Sequence, residues 1–235
     1  MKVYTNQRLI EAKAKIGKFT TLIGLVVLAG GFLFSLRPQY IVAAYAALIV
    51  GSVAAQIGTR YVTRWVQQPR ADQILTKALK GLDQRHLLYN YILPAEHVLL
   101  GPGGLHVFRL RPHEGEINFD GRRWYRPFSW LTLFRDIRRG GLGNPTLEVK
   151  QDISKMRDFL SENLPEVEPP IQGAIVFTNP KARLKVVGSE FTVLSPKSLR
   201  SYFRKSKPPK TIPSQTHRQL RELFTELAEE VEANT

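Results

Sequence analysis

Hydrophobic positions along the chain fall into two regimes. Residues 19–36 (FTTLIGLVVLAGGFLFSL) and 40–59 (YIVAAYAALIVGSVAAQIGT) are runs of 18 and 20 residues without a charged side chain, separated only by Arg37, Pro38 and Gln39. At about 1.5 Å of helical rise per residue, each run matches the thickness of a bilayer's hydrocarbon core. A buried hairpin in a soluble core is the alternative. A cleaved signal peptide fits less well: the first run is longer than the usual apolar region, it lacks a small-x-small cleavage site, and a second run follows at once. The pattern predicts a transmembrane α-helical hairpin. Neither run holds Asp, Glu, Lys, Arg or His, which argues against a transporter, a channel or a proton relay.

Beyond residue 70 the pattern is that of a folded α/β domain. ADQILTKALKGL puts Ile74, Leu75, Ala78, Leu79 and Leu82 on one helical face. HLLYNYIL, EHVLLG and LHVFRLR read as strands, the first stopped by Pro94, with Pro102-Gly103-Gly104 as a turn between the last two. GEINFDGRRWYRP reads as a hairpin turning at Asp120-Gly121, a pair favoured in type I′ turns. In NPTLEVKQDISKMRDFLSENL, Asn144 caps a helix, Pro145 suits its first turn, and Leu147, Ile153, Met156 and Leu160 form the apolar side. IQGAIVFT reads as a central strand, LKVV and FTVL as two short ones, and SPKSLRSYFRK as a further helix opening at Ser195. A Pro/Lys-rich linker (205–215) leads to a C-terminal amphipathic helix (216–235) carrying Leu220, Leu223, Phe224, Leu227 and Val231. The order helix, strands, helix, strand predicts an α/β sandwich.

Charge adds an orientation. The net charge is +14 and the isoelectric point about 10.1, which suits an anionic partner such as nucleic acid or the acidic face of a membrane. Lys2, Arg8, Lys13, Lys15 and Lys18 precede the first run, against Glu11 alone; Arg60, Arg64 and Arg70 follow the second; Arg37 is the only charge between them. Short flanks rich in Lys and Arg stay in the cytoplasm, so this predicts a two-span plasma-membrane protein with residues 1–18 and everything after the second span cytoplasmic. The second run also carries Ala43, Ala47, Gly51 and Ala55, four apart on one stripe. Such small residues permit close helix packing, either within the hairpin or between two copies in a homodimer.

The chain has no cysteine. This excludes disulfides, thiolate-bound zinc, iron–sulfur clusters and thiol catalysis.

GPGGLHVFRLRPHEGEI, the later NP and then AIVFTN stand in an order and spacing that resemble the NERD (nuclease-related domain) family. That family is distantly similar to the PD-(D/E)XK restriction endonucleases. The resemblance spans about 71–203, over half of the chain, and implies a restriction-endonuclease-like α/β domain (71–204) behind the hairpin. It also implies a site. The family's first helix usually carries a Glu in a G-x-x-G-E start; Asp72 aligns there, and both glycines are missing. The metal-binding Asp of its second strand aligns with Glu96. Its acid-x-Lys pair aligns with Arg109 and Arg111, and the Gln after its NP with Glu148.

An arginine in place of a carboxylate puts a cation where Mg²⁺ would sit. Two unit charges of like sign ~4 Å apart repel by several kcal/mol at an effective dielectric near 20. Arg111 keeps the positive charge of the lysine but cannot exchange a proton. The resemblance therefore implies a retained fold without the standard nuclease metal site, with Glu96 a metal ligand only if activity survives. Two roles stand open for Arg109 and Arg111, which share a side of one strand: an Arg109–Glu96 ion pair replacing the metal, or two guanidiniums that bind phosphate. Arg122, Arg123 and Arg126 beside Trp124 and Tyr125 add basic and aromatic character suited to single-stranded nucleic acid or to anionic lipid headgroups.

His97, His106 and His113 have no metal-ligand spacing and read as structural. The basic, aromatic stretch 127–141 suits a bilayer surface, a lid or ordinary core packing.

The expected function is a membrane-anchored protein with a NERD-like cytoplasmic domain that binds an anionic partner without catalysis and needs no cofactor. One alternative is an active, membrane-tethered nuclease using Asp72, Glu96, Glu148 and Mg²⁺; a second is a sensor of anionic lipid surfaces.

Overall fold

The computed structural model describes residues 1–128, 130, 140–205 and 211–233, with the side chains of 204 and 205 left aside. The chain divides into two units: residues 1–8, 71–127 and 142–235 form one, and residues 9–70 and 128–141 the other.

In the first unit a six-stranded mixed sheet runs in the order β1-β2-β3-β4-β7-β9. Its strands are β1 (Lys2–Thr5), β2 (Leu87–Asn90), β3 (His97–Gly101), β4 (Gly104–Arg111), β7 (Ile171–Phe177) and β9 (Thr192–Leu194). β2, β3 and β4 form an antiparallel meander. β7 lies parallel to β4 and β9 parallel to β7, as crossover connections require. Side chains alternate along β4 and feed two cores. Leu105 and Val107 point to one that includes Val149, Met156, Leu160, Leu220 and Phe224. Phe108 and Leu110 point to the other, with Leu75, Leu79 and Leu199. Four helices cover the faces. α4 (Pro145–Asn163) and α6 (Ser214–Ala233) supply the first core; α3 (Ala71–Leu79) and α5 (Pro196–Lys205) supply the second. This is the mixed α/β architecture expected from the order of elements.

A second sheet was not foreseen in the pattern. β5 (Gly115–Phe119), β6 (Trp124–Tyr125) and β8 (Ala182–Val186) form a three-stranded sheet in the order β6-β5-β8. Ile117, Phe119 and Trp124 pack inward into the first core, and the indole N–H of Trp124 donates to Thr146 Oγ1 at 2.8 Å, tying the sheet to the start of α4.

Several local expectations need correction. The first strand ends at Asn90, not Leu93. Tyr91 adopts φ 60°, and its N–H donates to the Glu96 carbonyl at 2.7 Å, turning the chain before Pro94 is reached. The β5–β6 turn is not type I′. Phe119 pairs with Trp124, which leaves a four-residue loop; Gly121 alone in it takes positive φ, and Asp120 Oδ1 accepts from the N–H groups of Arg122 and Arg123. Asn144 does cap α4, accepting from the Leu147 N–H at 3.2 Å. Leu147, however, is exposed, and Val149 and Asp152 join Ile153, Met156 and Leu160 on the buried side.

The N-terminal residues are not a separate basic tail. Lys2–Thr5 pairs in parallel with Leu87–Asn90. Of the expected linker, residues 206–210 lie outside the described residues, while Ile212 is buried and donates its N–H to the Pro102 carbonyl.

The second unit holds α1 (Gln7–Ser35), a single 3₁₀ turn at Pro38–Tyr40, and α2 (Ile41–Trp65). Both helices are long and apolar enough to cross a membrane, and both extend past the charge-free runs. Their buried positions recur every seven residues: Ile10, Gly17, Gly24 and Gly31 on α1, and Ala44, Gly51, Gly58 and Trp65 on α2. A seven-residue seam is what two helices need to keep one face in contact. A Cβ built on Gly24 would lie 2.5 Å from the Ala55 nitrogen, and one on Gly58 2.4 Å from the Thr21 nitrogen. Of the predicted stripe, Ala47 faces Gly31, Ala55 faces Gly24 and Gly51 faces Leu28, contacts within the hairpin itself, whereas Ala43 is exposed. Large side chains such as Leu22, Val26, Phe32, Val42 and Ile49 point outward.

Candidate functional site

The residues singled out from the sequence fall in three places. Arg109 and Arg111 stand two apart on β4 and project from the face that α4 covers. On α4, Glu148 and Asp152 are one turn apart and reach toward them, as an i, i+4 pair does. Glu96, just ahead of β3, completes the group.

The distances describe a closed cluster. Arg109 Nη2 is 2.5 Å from Glu148 Oε2, and its Nη1 is 3.4 Å from Asp152 Oδ2 and 3.7 Å from Glu96 Oε2. Arg111 Nη2 donates to Glu148 Oε1. Glu148 thus spends one oxygen on each arginine. Gly143 closes the cluster from the loop before α4. Its φ is +63°, and a Cβ there would come within 3.2 Å of Glu148 Oε1 and 3.6 Å of Arg111 Nη2. Glycine meets both demands.

Three carboxylates surround two guanidiniums, and the proton affinities show which forces win. Burial works against the Arg109 cation, but the charges of Glu96, Glu148 and Asp152 outweigh it and raise its pKa above that of a free guanidinium. Asp152 goes the other way from an ordinary ion-paired acid. Burial raises its pKa above 3.8, and the neighbouring Glu96 and Glu148 add to this, against the lowering effect of Arg109. The deepest acid of the cluster therefore holds a proton more readily than a free carboxyl does.

Asp72 is not placed with this group by its element. It lies buried on α3, the helix over the Phe108/Leu110 face, opposite to the one carrying Arg109. Asp152 was missed from sequence, although its spacing from Glu148 was a usable signal. Both arginines are engaged by carboxylates, the ion-pair arrangement rather than an open phosphate cradle. Among the described residues no group of three His, Asp or Glu side chains is spaced to hold a metal ion.

The hairpin arginines separate. Arg122 and Arg123 are exposed in the β5–β6 loop. Arg126 is half-buried and donates to the Glu114 carbonyl at 2.8 Å. The histidines are built into the fold. His97 is buried and its Nδ1 lies 2.9 Å from Asn90 Oδ1. Asn90 Nδ2 in turn donates to Thr5 Oγ1. His106 packs edge-on to Phe203, and burial, helped by His86, pushes its pKa down to about 4. His113 is buried.

The chain matches no protein-family model, no curated protein and no solved structure.

Proposed function

We propose that this is a membrane-anchored protein whose NERD-like domain has exchanged metal-dependent chemistry for a binding role toward an anionic partner. The observation that carries this reading is the environment of Arg109. Its guanidinium lies within 2.5–3.7 Å of the carboxylates of Glu148, Asp152 and Glu96. A tethered cation that satisfies three acids leaves them no reason to recruit Mg²⁺, and a metal brought beside it would meet like-charge repulsion. The succession of α3, the strands β2 to β6, α4 and β7 follows the order helix, strands, helix, strand predicted from the sequence. Anchoring is supported by the inside-out composition of the hairpin, with glycine and alanine at its seam and leucine, valine and phenylalanine outside. In lipid, where no hydrophobic force drives helices together, such close backbone approach holds them. The basic flanks support the cytoplasm as the side of the α/β domain.

The test is a cleavage assay on the full chain in lipid nanodiscs, with single- and double-stranded DNA and RNA and with Mg²⁺ or Mn²⁺. The reading expects no metal-dependent cleavage above background. Cleavage lost in a Glu96→Ala variant would replace this reading with the tethered nuclease.

A further inference from the structure

We infer that the outward face of the β6-β5-β8 sheet is a docking surface for single-stranded nucleic acid. This rests on the reading of the domain as a binder of an anionic partner and names the partner's class and the place it binds. Strand register sets the composition of the face. Ile117 pairs with Leu184, and Phe119 with Val186 and Trp124, and these turn into the core. Of the alternate positions, Tyr125, Arg183 and Lys185 are exposed and Glu116 partly so. Asn118 is paired with Lys185 on one side and Tyr125 on the other, and Glu116 is paired with Arg183. One row across the three strands thus presents the Tyr125 ring and the Lys185 ammonium group on either side of Asn118, whose own side chain is buried.

The surrounding charge is mostly positive. Lys181, Arg183, Lys185, Arg122 and Arg123 are all exposed. The acids among them are Glu116, which Lys185 reaches at 2.9 Å, and Asp120, 3.7 Å from Arg123. Exposed pairs of this kind contribute little, so a phosphate competes for the same cations. Tyr125 is 44% exposed, and the Arg123 guanidinium stands 5.8 Å from its ring centre. Cations two residues apart on one strand, beside an exposed ring, fit a backbone that presents phosphates in sequence and bases free to stack. A duplex hides its bases from Tyr125, so single strands are the better fit. Sequence reading had Arg122 and Arg123 here but missed Arg183 and Lys185, because each β8 residue pairs with a β5 residue 67 positions earlier in the chain.

The test uses the full chain in nanodiscs of zwitterionic lipid and a fluorescently labelled DNA strand of about 16 nucleotides. Fluorescence anisotropy across a salt series gives affinity and its salt slope. Arg183→Ala with Lys185→Ala should flatten the log–log salt slope by about 1.4, the value for two lost phosphate contacts on a single strand. Tyr125→Ala should weaken binding about tenfold while leaving the slope unchanged. Arg218→Ala with Arg221→Ala on α6, an equal loss of charge elsewhere, should do neither. If the β8 pair behaves like the α6 pair while the wild type still binds, this surface is wrong and the broader binding reading survives. If the wild type binds no strand, both fail for nucleic acid. A β8 double variant that keeps strand binding but no longer captures phosphatidylserine vesicles would assign the face to lipid instead and overturn the inference.

Discussion

Arg109 Nη2 and Glu148 Oε2 lie 2.5 Å apart, joining β4 to the first turn of α4 through a contact that is three-quarters or more removed from solvent on both sides. The same guanidinium meets Asp152, so that one side chain offsets charge on two successive turns of the helix.

Removing that side chain should therefore destabilise the domain. Arg109→Met leaves Glu96, Glu148 and Asp152 facing one another with Arg111 as the adjacent cation. A broken, largely buried ion pair costs about 3–5 kcal/mol, and the partial exposure of Glu96 lowers this to about 2–4 kcal/mol at neutral pH. Asp152 already has a folded-state pKa above its unfolded value. A carboxyl of that kind favours the fold at low pH and loses its contribution as pH rises through the interval between the two values. Without Arg109 the interval widens, so the gap between variant and wild type should narrow on acidification. Chemical denaturation followed by circular dichroism at pH 7 and pH 5 measures it. An equal loss at both would show that packing, not charge, is what Arg109 supplies.

His106 predicts the opposite pH dependence. Its folded pKa of about 4 lies below its unfolded value, so the unfolded chain binds the proton more readily and stability falls as pH drops from about 6.5 towards 4. The loss is on the order of 2 kcal/mol once the partial exposure of the ring is allowed for. His106→Gln, which does not titrate there, should flatten this part of the stability profile. A profile unchanged by the substitution would place the acid sensitivity in another group.

Much of this was legible along the chain. Charge-free length gave the hairpin, alternation gave β4, a continuous apolar run gave β7, and Asn144-Pro145 gave the start of α4. The failures share a cause: they depend on contacts between distant segments. Lys2–Thr5 is a strand only because Leu87–Asn90 lies beside it, and four residues carry no pattern of their own. β8 and β9 look alike in sequence yet join different sheets. The four-residue period in α2 drew attention to Ala43, whereas the packing seam has a seven-residue period that also runs through α1. In the site, Arg109 and Glu96 were named from a family resemblance. Asp152 was passed over because that resemblance has no counterpart for it.

The seam gives a direct contrast between two glycines of α1. Gly24→Val should lower the thermal midpoint of the full chain in nanodiscs, since its Cβ would overlap the Ala55 backbone at 2.5 Å. Gly30 has nothing within 4 Å of a built Cβ, so Gly30→Ala should be neutral or stabilising by up to about 1 kcal/mol through helix propensity. The reverse ranking would mean that the two helices pack through another face.

Topology is open to labelling, because the chain has no native cysteine. A cysteine at Gln39, between the spans, should react with an impermeant maleimide on intact cells, and one at Ser214 should react only after lysis. Pairing of β1 with β2 places the segments before and after the hairpin in one sheet, so a hairpin that crosses a membrane leaves both on one side. Labelling of Ser214 alone on intact cells would invert the orientation.

The central claim is that Arg109 stands in for a metal, and calorimetric titration with Mn²⁺ tests it most directly. The wild-type chain should show no saturable heat. Arg109→Glu with Arg111→Lys, checked for folding by circular dichroism, should bind Mn²⁺ measurably, because the new carboxylate converges with Glu96, Glu148 and Asp152 on one cation. Tight Mn²⁺ binding by the wild type that disappears in Glu96→Ala would contradict the account.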